Sequence, residues 1–138
     1  MDILILGASP ELCRFLPENS EFYPRKERYP LIFALPEAKR PWGKLACDTL
    51  AVWNDIASEI TEGVRAENLV TCGFAPFCTL TLSSMGNGRS VLTVQREFAR
   101  ADGAAVPPQD VPLPEVWSEL AAEEQIMLAG LWLMTGRL

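Results

Sequence analysis

Lys44–Thr61 reads KLACDTLAVWNDIASEIT, and whether this stretch is helix or strand decides what the rest of the chain can build. Ala46, Leu50, Trp53, Ile56, Ala57 and Ile60 recur three and four residues apart, while Asp48, Asp55 and Glu59 lie off that stripe. Such spacing places apolar groups along one side of an α-helix. Gly63 follows as a C-terminal stop. The pattern predicts a helix over 44–61. A second helix is expected over 115–135, with Pro114 suited to its first turn and a fresh start at Ala122-Glu123-Glu124-Gln125 that would divide it into two pieces.

Downstream of the first helix, alternation takes over. Leu80 and Leu82 alternate with Thr79, Thr81 and Ser83, and Leu92 and Val94 alternate with Thr93 and Gln95. A two-residue turn at Asn87-Gly88 would set Leu82 against Thr93 and mix apolar with polar on one face. A three-residue loop, Gly86-Asn87-Gly88, instead sets Leu82 against Leu92, Leu80 against Val94 and Thr81 against Thr93. Directly opposed residues share a face, so this second register gives a 78–96 hairpin with one oily and one polar side. The glycines in it are explained by turn geometry, and no lysine or helix follows to make a phosphate-binding loop.

Upstream, Asp2–Leu6 reads as a buried strand ending at Gly7, and Ser9, Pro10 and Glu11 make a sound helix start that Pro17 cuts short. The opening Ile-Leu-Ile-Leu-Gly-Ala-Ser resembles the first strand and turn of nucleotide-binding Rossmann domains. The glycines that let backbone approach a pyrophosphate are replaced by Pro10 and Cys13, so the stretch reads as a strand closed by a tight turn. Leu31–Leu35 is an apolar strand bordered by Pro30 and Pro36, which suggests either a sheet edge or abrupt strand ends. Residues 99–114 hold four prolines and read as a surface loop.

The expected fold is one α+β domain over 1–138. It has a small antiparallel sheet of three to five strands, including the hairpin, packed on one face by the helices at about 44–61 and 115–135. At 138 residues, 49% hydrophobic and 22% charged, a self-sufficient core is expected. The acidic start and short apolar runs give neither a secretory signal nor a membrane span, and the default is a soluble cytoplasmic protein with no membrane partner.

Chemistry is constrained by what the chain lacks. With no histidine, catalytic triads, Cys-His pairs and imidazole shuttles are excluded. Cys13, Cys47, Cys72 and Cys78 form no CxxC pair, so no metal site, no cofactor and no catalytic residue is assigned, and buried reduced thiols are expected. The net charge of −6 divides into +4 over 22–45 and −10 elsewhere, which disfavours nucleic acid as a partner. Within that basic stretch, Arg25, Lys26, Arg28, Lys39 and Arg40 are candidates for gripping an anionic partner. Ile126–Met134 is apolar on nearly every side. It is either a central core helix or an interface, and Met127, Leu131, Trp132 and Met134 are its candidate contact residues.

The functional expectation is a non-catalytic protein–protein interaction module of the adaptor, assembly-chaperone or inhibitor type, self-associating as a homodimer. The alternative is a small enzyme or ligand-binding protein whose pocket lies near the Cys72–Cys78 bend and the basic segment.

Overall fold

A computed structural model describes residues 1–41, 43–84 and 90–137. Its centre is an eight-stranded mixed sheet, mostly parallel. In chain order the elements are β1 (Ile3–Leu6), α1 (Pro10–Cys13), β2 (Ser20–Glu21), β3 (Arg28–Ala34), β4 (Leu45–Trp53), α2 (Ala57–Thr61), β5 (Val64–Cys72) and β6 (Leu80–Ser84). These are followed by β7 (Ser90–Val94), β8 (Phe98–Ala99), β9 (Ala105–Val106), β10 (Gln109–Pro112) and α3 (Ala122–Met134). Spatially the large sheet runs β10-β7-β6-β5-β4-β3-β1-β2, and β8 pairs separately with β9. Every pairing from β2 through β6 is parallel; β6–β7 and β7–β10 are antiparallel.

The expectation of a small antiparallel sheet is thereby corrected, and the error lies in Lys44–Thr61. Residues 45–53 form the central strand β4, and only 57–61 are α-helix, after a 3₁₀ turn at Asn54–Ile56. The physical reason is burial on both sides. Leu50 and Val52 pack into the cluster beneath α2, whereas Ala51 and Trp53 pack into the cluster beneath α3. A strand without a wet face carries no alternation, and its apolar run coincides with a helical stripe. Strand β5 is equally hard to read, because Arg65, Glu67, Asn68 and Leu69 are exposed.

A second correction concerns Pro30. It sits inside β3, an interior strand between β1 and β4 rather than an edge. The ladders run Tyr29↔Cys47 then Leu31↔Thr49, and Cys47↔Ala66 then Thr49↔Asn68. Pro30, Asp48 and Glu67 are passed over together. Buried residues change parity across this line, with Tyr29, Cys47 and Val64 on one side of it and Ile32, Leu50 and Val52 on the other, all in the α2-side cluster. Proline loses nothing where no ladder bond forms.

Other expectations fared better. Ser9 caps α1, its hydroxyl accepting from Leu12 N–H, and Leu12 is buried. The hairpin register pairs Leu82 with Leu92, Thr81 with Thr93 and Leu80 with Val94; the loop at 86–88 lies outside the described residues. The 115–135 segment is divided as its fresh start suggests, into a 3₁₀ turn at Glu115–Glu119 and α3. The reading of 99–114 as a surface loop is corrected: β9 and β10 lie in it, and β10 adds an antiparallel edge strand to β7. No helix among the described residues is long and apolar enough to cross a membrane.

The two-sided burial of β4 has a direct consequence. Ala51→Asp and Val52→Asp each bury an unpaired carboxylate, on opposite faces, and should each cost on the order of 4 kcal/mol or more. Urea denaturation checks this. A 44–61 helix would place position 51 off the apolar stripe and tolerate the first substitution.

Candidate functional site

The C-terminal helix shows where the first set of candidates lies. Met127, Leu131 and Met134 are each 1% exposed within the chain's own core, and Trp132 is half-buried against it. Trp132 meets Trp117 edge-on, ring centroids 4.9 Å apart. Gly130 lets the helix approach the sheet closely, since a Cβ there would lie 2.9 Å from Leu80 Cδ1. The sheet, α1 and the 115–120 segment wrap α3, so its apolar circumference is accounted for within one chain. At its end, Gly136 takes φ +73° and donates to Leu133 C=O while Arg137 N–H donates to Trp132 C=O, a helix-terminating arrangement that satisfies the last carbonyls.

The basic candidates are exposed and largely engaged. Lys26 pairs with Asp2 and with Glu21 at 3.6 Å; Arg28 pairs with Asp48 and with Glu67 at 3.3 Å; Arg40 pairs with Glu62 at 2.9 Å. Hydrogen bonding and charge attraction from Asp48 push the Arg28 pKa up. Arg25 and Lys39 have no ion pair among the described residues. Tyr29, fully buried, anchors this segment: its hydroxyl donates to Glu21 at 2.9 Å and accepts from Arg25 N–H at 2.9 Å. Three of the five cations are thus matched by the chain's own carboxylates. The structure brings together no bare basic patch from them.

The Cys72–Cys78 bend is a tightly held loop. Gly73 N–H donates to Leu80 C=O, Cys78 N–H to Ala75 C=O, Thr79 N–H to Thr71 Oγ1, and Gln95 Nε2 to Cys78 C=O. Cys47, Cys72 and Cys78 are buried, Cys13 is exposed, and all four are free. Burial pushes the Cys72 and Cys78 thiols up and raises Cys47 to about 12. Neutral thiols are poor nucleophiles. The bend instead presents Phe74 and Phe77, 55% and 56% exposed, with Phe74 edge-on to Trp53 at 5.3 Å.

Two of the clefts among the described residues lie at ends of the parallel strands. One of about 480 Å³ lies at the amino ends of β4 and β5, lined by Glu27, Lys44, Glu62 and Arg65 among others. Another, of about 350 Å³, lies at the carboxyl ends of β1 and β3, between Gly7–Ser9, Leu35–Glu37 and the start of α3. The sequence signal for the second is the Gly7-Ala8-Ser9 turn, but its far wall comes from residues more than a hundred positions away. No group of three or more metal-ligating side chains occurs among the described residues. Comparison with protein-family models, curated proteins and solved structures gave no match for this chain.

Thiol titration of the native protein at pH 8 should therefore report only Cys13, and all four cysteines once the chain is unfolded. The linked pH effect has a fixed sign. Cys47 stays protonated in the fold when the unfolded thiol, near 9, has ionised, so its contribution is complete below about pH 9 and is lost as pH rises towards 12. Denaturation midpoints should fall over that window, and a Cys47→Ala variant should show a shallower fall.

Proposed function

We propose that the chain acts as a non-catalytic protein–protein interaction module that self-associates through the 73–79 loop. The observation that carries this reading is the exposure of Phe74 and Phe77 on a loop braced by four hydrogen bonds and by a fifth from Arg96 to Phe77 C=O. Burying a phenylalanine side chain gains about 1.5–3 kcal/mol, and a loop already fixed loses little freedom on docking. Aromatic residues are enriched at interfaces for these reasons.

Charge distribution favours a second copy as the occupant. The chain carries a net −6, which repels its own kind over most of the surface. The 73–79 loop itself carries no charged residue, and the charges that flank it, Arg96 on Phe77 C=O and Asp55 near Cys78, are of opposite sign, so a two-fold contact there opposes apolar groups without a surplus of carboxylates. The sheet edges are poorer routes to assembly. β10 is bracketed by Pro107, Pro108, Pro112 and Pro114, and β2 has only two residues, both of which blunt strand addition. The buried, protonated thiols and the paired basic side chains give the enzyme alternative no comparable support.

Sedimentation equilibrium tests the proposal. The intact chain should dimerise at or below about 100 µM, the affinity a small interface supports. A Phe74→Ser, Phe77→Ser variant should remain monomeric and folded, with a thermal midpoint lowered by only a few degrees through loss of the Phe74–Trp53 contact and of the dimer. A monomeric wild type at that concentration, or a variant that dimerises equally well, contradicts it.

A further inference from the structure

The connections around β1 and β3 leave the sheet on opposite faces. β1 runs into α1, whose Leu12 packs with Ile3 and Ile5 under α3, while the segment after β3 returns over the other face, where Ala38 packs with Leu4 and Leu6. β1 then pairs with β2 on its outer side, and β3 with β4 on the inner side. The crevice between the carboxyl ends of β1 and β3 is therefore a topological switch point, the place where open parallel sheets bind ligands because no connection crosses it. The 350 Å³ cleft lies there, within the size range of small-molecule sites.

Its shape depends on Gly7. The residue takes φ +80°, and a Cβ on it would stand 2.5 Å from Ala38 N. Only glycine allows the β1 turn and the β3 turn to close together, with Leu35 N–H donating to Leu6 C=O at 3.0 Å. Ala8, Leu35, Pro36 and Ala121 supply apolar walls. The charged groups on the lining are all carboxylates, Glu37, Glu123 and Glu124, and none has an ion pair among the described residues. Ser9 donates its hydroxyl to one Glu124 oxygen, which fixes that carboxylate against the cleft. A phosphate would meet three negative charges here, although the preceding strand and turn look like those of a phosphate-binding domain.

We infer that the switch-point cleft between Gly7–Ser9, Leu35–Glu37 and Ala121–Glu124 binds a small organic cation, an apolar body carrying an ammonium or guanidinium group. Topology and the cavity locate the site; the carboxylates set the sign of the ligand. This site is separate from the 73–79 loop and stands whether or not the chain self-associates.

Phenethylammonium is a suitable probe, with 3-phenylpropionate as its anionic counterpart. In amide NMR titrations of the intact chain, phenethylammonium should shift resonances confined to 7–9, 35–38 and 121–125 in a saturable manner. The carboxylate analogue should leave them unmoved. Glu37→Gln, Glu123→Gln removes two exposed or half-exposed charges and should weaken binding about tenfold or more. Ala8→Phe, which fills the cleft and keeps every charge, should abolish it. Shifts scattered over the acidic surface, equal binding of the anion, no saturable binding, or full binding by both folded variants would each overturn the assignment.

Discussion

Strand β4 meets protein on both of its faces. Leu50 and Val52 lie against the layer formed by α2 and the segment after β3, and Ala51 and Trp53 lie against α3 and its supports. Everything else in the molecule follows from keeping water from both sides of that strand. A parallel neighbour on each side requires a crossover connection, and the crossovers before and after β4 supply the covering layer on one face. The connection after β4 is short, a 3₁₀ turn and the five residues of α2, with Ile60 as its buried anchor. The opposite face needs a larger cover, and the apolar circumference of α3 provides it.

This division explains why the chain's most hydrophobic segment is not its most exposed apolar surface. Ile126–Met134 sits between the sheet, α1 and the Trp117 turn, so its methionines and leucines complete a core. The aromatic surface lies at the end of β5, where Gly73, tight against Cys78 Sγ at 3.1 Å from an added Cβ, bends the chain outward and carries Phe74 with it. The same architecture leaves a crevice beside β1, because α1 and the segment after β3 depart in opposite directions. Both surface features lie at the carboxyl ends of the parallel strands, and both depend on a glycine that permits close approach.

Local signals in the sequence are legible where one face is wet or a cap is present. The hairpin register follows from alternation at Leu80–Gln95, the start of α1 from Ser9 and Pro10, and the break before α3 from Ala122–Gln125. The sheet class is lost where burial is two-sided. Along Leu45–Trp53 neither face alternates, and Ala46, Leu50 and Trp53 fall by coincidence on a helical stripe. Pro30 points to an edge because its role depends on an interruption shared with Asp48 and Glu67, which no single segment reveals. Of the surface features, the Gly7-Ala8-Ser9 turn is visible in the sequence, but its carboxylate wall requires the fold to bring Glu123 and Glu124 to it.

Amide exchange and the contact pattern of β4 in solution put the two-sided burial to the test. Amides from Thr49 to Val52 should exchange only through global unfolding, and Leu50 should show cross-strand proximity to both Ile32 and Leu69, its parallel partners. Rapid local exchange there, or contacts three and four residues apart along 45–53, would contradict the two-sided strand on which the structure rests.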